Sequence, residues 1–101
     1  MSGFFVSPEA DEDIWSIWRY LATESGFGIA DRNESELYDT FKKLARTPGA
    51  GHRRHDLTDH PVFFFAVCQY MVVYRKSLPV EIVAVIHGKR DVERILSRRL
   101  R

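Results

Sequence analysis

Residues 80–96, VEIVAVIHGKRDVERIL, decide the fold. The β-branched density of Val80, Ile82, Val83, Val85 and Ile86 predicts a strand over residues 80–86. The run stops at His87-Gly88, and Lys89, Arg90 and Asp91 follow. Asp91 suits the N-cap of a closing helix over residues 91–99, whose C-terminal Arg98 and Arg99 complement the helix dipole. A strand that leaves its sheet into a cluster of charges marks a candidate working surface, because element ends expose side chains on a rigid support.

Two more strand-like runs lie upstream, residues 62–67 and 70–75. Cys68-Gln69 and Ser77-Leu78-Pro79 separate the three runs and have hairpin length. Residues 50–61 are polar, hold three of the four histidines and read as a loop. Ahead of them, two amphipathic stretches predict a helical hairpin. Ser7 caps the first helix, with Pro8 at its first position and Glu9, Asp11, Glu12 and Asp13 in its opening turns. Ile14, Ile17, Trp18 and Leu21 share one face of that helix, which stops near Ser25-Gly26. Phe27 to Ile29 reads as a connector. The second helix then carries Ala30, Leu37, Phe41, Leu44 and Ala45 on its apolar face, with Tyr38 beside it, as far as Arg46. Phe4-Phe5-Val6 supplies a first short strand. The order is β-α-α-β-β-β-α within one domain, 1–101. The expected class is α+β: a small antiparallel sheet packed on one face by the N-terminal helical hairpin. The final helix and the loops should cover part of the other face.

The chain has 101 residues and 45% hydrophobic content, enough for one modest core and too much for a disordered segment. No apolar run approaches the roughly 20 residues of a membrane span. Residues 1–6 lack the basic start and apolar run of a secretory signal, and Cys68 is the only cysteine; both lead to an expected cytoplasmic location. Cys68, at a strand end, is expected to act as a small buried hydrophobe. Charge is uneven: residues 1–45 hold nine acids against four bases, and residues 46–101 hold eleven bases against five acids. The split points to a polarised surface, read either as a solvated mixed-charge exterior or as a basic half that meets an acidic partner, protein or nucleic acid. His52, His55, Asp56 and His60 lack the frame of a zinc site, and Gly26-Phe27-Gly28 lacks the lysine and preceding strand of a phosphate loop. No metal or other cofactor is expected.

An ordered set of motifs spans nearly the whole chain. It runs through Ser7-Pro8-Glu9-Ala10, Asp13-Ile14-Trp15, Tyr20-Leu21-Ala22, residues 44–51, Arg54-His55-Asp56-Leu57, residues 70–75 and residues 85–91. In this order the set resembles the ParE/RelE superfamily of bacterial type II toxin–antitoxin toxins, and the last piece resembles the ParE branch. The resemblance implies a toxin neutralised by a cognate ParD-like antitoxin. For the ParE branch it implies DNA gyrase as the target, with no catalytic residues and no direct nucleic-acid contact. The alternative is a RelE-like, ribosome-dependent mRNA endoribonuclease. That branch works without metal, through basic residues and a tyrosine around the scissile phosphate. Here no aromatic residue occurs in residues 76–101, and Lys42-Lys43 are adjacent, so they cannot share one helix face.

On this reading Arg53, Arg54, Tyr74, Arg75, His87, Lys89 and Arg90 form the target-facing group. Trp15, Trp18, Tyr20, Leu37, Tyr38 and Phe41 form the antitoxin-facing group, since aromatic side chains are favoured interface anchors. Trp18 is expected on the core face of the first helix, with Trp15 and Tyr20 off it and part-exposed.

Overall fold

The structure is a computed structural model and describes residues 3–100. Strands β2 (Phe63–Val67), β3 (Tyr70–Arg75) and β4 (Val80–His87) form an antiparallel meander. Strand β1 (Phe4–Val6) joins β4 in parallel, giving the order β1-β4-β3-β2. The single parallel pairing follows from the chain path, since both hairpin helices and two strands separate β1 from β4 in sequence.

Helix α1 (Pro8–Ser25) starts as its residues dictate: Ala10 N–H donates to Ser7 Oγ at 3.1 Å, and Pro8 occupies the first turn. Helix α2 (Phe27–Arg46) begins at once after Gly26. The expected connector, Phe27 to Ile29, is therefore the first turn of α2. Gly26, at φ +95°, makes the whole reversal in one residue, a backbone state open to glycine at little cost. Helix α3 (Val92–Arg99) closes the chain, with Arg94 N–H donating to Asp91 Oδ1 at 3.2 Å.

Each face of the sheet is buried. On one, Ile14, Leu37, Phe41 and Leu44 pack on Val72, Tyr74, Ile82 and Val85. On the other, Val92, Leu96 and Leu100 cover Phe64, Val73, Ala84 and Ile86. Val83 has no partner in the β3–β4 register: Tyr74 pairs with Ile82 and Val73 with Ala84. This bulge puts Val83 and Ala84 on the α3 face together, so β4 does not follow simple alternation. Phe64 belongs to the α3 face, whereas Phe63 and Phe65 are half-buried at the margin of the helical face.

Three expectations are corrected here. Leu37 and Phe41 have no exposed surface, because the apolar face of α2 is spent on the sheet; they are core and not antitoxin contacts. Tyr74 is also fully buried. Its hydroxyl donates to Pro48 O at 2.6 Å and accepts from Gly51 N–H at 2.9 Å, so it pins the loop after α2 and faces no target. A Cβ at Gly51 would stand 2.5 Å from the Tyr74 hydroxyl and 2.8 Å from Phe64 O, so only glycine fits there without a shift. Tyr74→Phe is expected to cost roughly 1–3 kcal/mol in urea unfolding, because both backbone groups lose a buried partner. Cys68, finally, is exposed in the β2–β3 turn at φ +54°. Its thiol donates to Glu36 Oε2 at 2.7 Å, and that hydrogen bond, followed by burial and the Glu36 charge, pushes its pKa up.

Candidate functional site

The sheet register divides the residues expected to face a target. Arg75 pairs with Glu81 and Tyr70 with His87, so Arg75 and His87 sit at opposite ends of β3 and β4. Five residues of antiparallel strand put about 17 Å between these ends. At the Arg75 end, the guanidinium lies 3.4 Å from Glu81. Phe63, paired with Tyr74, gathers two cations there: Lys76 Nζ 4.1 Å and the Arg53 guanidinium 5.9 Å from the ring centre. Arg54 turns onto its own loop, donating to both Asp56 oxygens at 2.9 and 2.8 Å and holding that carboxyl below its usual pKa. Arg53, Arg54 and Arg75 thus form no common surface with Lys89 and Arg90.

The other end of the sheet is a tight corner. Gly88 N–H donates to Gln69 O and Arg90 N–H to His87 O, both at 2.9 Å. Lys89 N–H donates to His87 Nδ1 at 3.1 Å, which leaves Nε2 as the protonated nitrogen facing Gln69 Oε1 at 3.3 Å. The ring stands edge-on to Tyr70, with centroids 5.4 Å apart. His87 is therefore held by the turn, while the Lys89 and Arg90 side chains are exposed.

Beyond the corner, Arg90 joins Arg94 and Arg98 along a cleft of about 590 Å³, with Ile95, Glu9, Asp91 and Arg99 as its other walls. A smaller concavity of about 190 Å³ between α1 and the end of β4 adjoins it and shares Arg90, Ile95 and Arg99. Arg94 and Arg98 were not among the residues expected from the sequence. Their signal was present: Arg94 and Arg98 are four apart in the closing helix and so share one face, with Arg90 just ahead of its cap.

Helix α3 is anchored by a clamp that joins three elements. Arg99 reaches Asp13 with both terminal nitrogens, at 2.6 and 3.1 Å, and Val85 N–H donates to the same carboxylate at 3.0 Å. Ser7 Oγ and Arg99 both donate to Val83 O, at 3.3 and 3.4 Å. Strand β1 pairs β4 only as far as Ile82, and these side chains satisfy the edge beyond it. The hydrogen bond to Asp13, then its charge with that of Glu9, holds the Arg99 guanidinium more firmly protonated than usual.

The aromatic residues of the hairpin sort differently from expectation. Trp18 does not pack into the core. Its ring lies between Trp15 and Phe27, at 5.8 and 5.7 Å and nearly parallel to both, and its Nε1–H donates to Asp31 at 2.9 Å. Trp15 is 55% exposed and Phe27 70% exposed, so the stack forms an apolar patch on the surface near Gly26. Tyr20 is also exposed but projects from another side of α1, since five residues turn a helix by about 140° from Trp15. Tyr38 is half-buried against Phe4 and Phe41.

Among the described residues, no three His, Cys, Asp or Glu side chains converge as metal ligands, and no helix is long and apolar enough to cross a membrane.

Comparison with known proteins agrees with this architecture. The family model described as ParE toxin of type II toxin-antitoxin system, parDE, matches residues 4–92. Among solved structures, a chain of a chromosomal ParDE TA system from P. aeruginosa superposes with a TM-score of 0.73 at 14% identity, over 86% of this chain and 96% of that one. No curated protein sequence matches. Strand order, helical hairpin and a match from the first strand to the start of α3 lead to one placement: the chain belongs to the ParE toxin family of type II toxin–antitoxin systems.

Proposed function

We propose that this toxin acts as a binder that inhibits DNA gyrase, and that a ParD-like antitoxin neutralises it. The observation that carries the choice of binder over nuclease is the division of the basic and aromatic groups between two sheet ends. A ribonuclease needs its acid, base and charge-stabilising groups around one phosphate, each within about 3 Å of its atom. Here Tyr74 is buried with its hydroxyl occupied, and Arg75 lies a sheet length from His87, Lys89 and Arg90. A binding surface has no such requirement. The free arginines along α3 can steer and orient an encounter through charge alone. The likeness to a ParDE system supports an antitoxin partner, and we assign its docking to the Trp15–Trp18–Phe27 stack, an exposed aromatic anchor of the kind that dominates protein interfaces.

The test is gyrase supercoiling and DNA cleavage with the purified chain. Inhibition with persistent DNA breaks is expected. Replacing Arg90, Arg94 and Arg98 together by Ala should weaken it roughly tenfold or more, and Arg53→Ala with Arg75→Ala should change it less than about twofold. Unimpeded gyrase would remove this mechanism. Cut transcripts after brief expression, lost in Arg75→Ala or Arg90→Ala, would favour the nuclease instead.

A further inference from the structure

The cleft along α3 has a composition that selects its ligand. Among the described residues, the ion pairs are Arg54–Asp56, Arg75–Glu81 and Arg99–Asp13; Arg90, Arg94 and Arg98 are in none of them. The cleft also holds two acids, so its four arginines face two carboxylates. Asp91 accepts the Arg94 N–H as the helix cap, and the charge of Glu9 acts on Arg99. Three guanidinium groups are left over in one cleft: Arg94 and Arg98 one turn apart on α3, about 6 Å along its axis, and Arg90 in the turn before its N-cap Asp91.

We propose that this cleft is a phosphate-backbone site, in which Arg90, Arg94 and Arg98 hold phosphates of duplex DNA without reading its bases. Ile95 is the one apolar side chain of the cleft, so against a protein the arginines can steer and orient an encounter but give no apolar anchor for it. Single-stranded nucleic acid is held by stacking on aromatic rings, and residues 76–101 contain none. Duplex phosphates need only neighbouring cations, and the turn of about 6 Å between Arg94 and Arg98 already spans nearly two phosphate steps at 3.4 Å of axial rise per strand. The guanidinium fork matches phosphate oxygens in pairs. The expectation of no direct nucleic-acid contact followed from the ParE resemblance, with His87, Lys89 and Arg90 at this corner; Arg94 and Arg98 add two cations that it did not include. The site concerns the toxin and DNA without gyrase, so its failure would leave the gyrase reading standing.

The experiment is fluorescence anisotropy of a labelled 20-base-pair duplex titrated with the full chain, without gyrase, at several salt concentrations. Three phosphate contacts predict a slope of log K against log salt of about −2.7, which weakens binding roughly 40-fold between 50 and 200 mM salt. Replacing all three arginines by Ala should abolish at least about nine-tenths of the affinity, and replacing all three by Lys should retain most of it, since lysine still meets phosphate as a point charge. Arg53→Ala with Arg75→Ala and Lys76→Ala, which removes the same three charges at the far sheet end, should leave the affinity within about twofold. Far-ultraviolet circular dichroism confirms that each variant is folded. The proposal is overturned if duplex is not bound at 50 mM salt, if the folded triple Ala variant binds like the parent chain, or if single strands bind more tightly. Equal competition by polyglutamate at matched charge would also overturn it, in favour of an acidic polypeptide.

Discussion

Phe41→Ala should lose roughly 3–5 kcal/mol of stability, much of what a domain of this size has. The ring has no exposed surface, touches Phe4 and Tyr38 edge-on at 5.6 and 5.1 Å, and fills the seam between α2 and the sheet. Its removal leaves a cavity that the surrounding strands cannot close. Urea denaturation should show a lower midpoint with the slope unchanged. Trp15→Ala should cost far less, about 1 kcal/mol, because its ring stacks on Trp18 and lies under the Arg19 guanidinium at the exposed surface. The pair separates fold from partner binding. If the antitoxin docks on the exposed stack, Trp15→Ala weakens the complex while the toxin remains folded, and Phe41→Ala weakens it only through unfolding. A Phe41→Ala chain as stable as the parent would contradict the packing described above. An antitoxin affinity indifferent to Trp15→Ala and Phe27→Ala would move the docking surface elsewhere.

Asp13→Ala is the second large effect expected, at roughly 2–4 kcal/mol. Removing one partner of a buried ion pair costs about 3–5 kcal/mol, and here the loss is smaller because about a fifth of each side chain is exposed. Two groups lose their partner at once: the Arg99 guanidinium and the Val85 N–H at the bare edge of β4. Asp13→Asn should be milder, since its amide oxygen still accepts from Val85. Hydrogen exchange provides the local readout. Amides of α3 and of Val85 should exchange faster in Asp13→Ala, while those of β2 and β3 keep their protection. Uniform loss across the sheet would mean that the clamp carries global stability and does not anchor α3 in particular. Because α3 carries Arg94 and Arg98, the same substitution should also loosen the arginine cleft.

Much of the fold is legible in the chain because its signals are local. Ser7-Pro8 announces α1, Gly26 its end, and the β-branched runs the meander, each through backbone and side-chain preferences within a few residues. Of the exceptions, one has a local cause and one a long-range cause. The connector at Phe27 to Ile29 was misplaced because a single glycine at positive φ performs the turn. Cys68 looked like a strand-end hydrophobe because nothing near it in sequence reveals Glu36, 32 residues away, as its hydrogen-bond partner. The candidate site was less legible. Arg53, Tyr74, Arg75, Lys89 and Arg90 are all basic or polar residues at element ends, and sequence position alone does not say which end of the sheet each one reaches.

By itself the sequence determined the elements, their order and the family likeness, because helix caps, hydrophobic period and turn residues act over short distances. The tertiary structure alone decided which residues share a surface. Strand register sends Arg75 and His87 to opposite ends, and packing buries Tyr74, Leu37 and Phe41. An ion pair across 86 residues of chain sets α3 where Arg90, Arg94 and Arg98 line one cleft. These are consequences of long-range pairing, whose energy depends on the whole sheet and its two covering layers and not on any short segment.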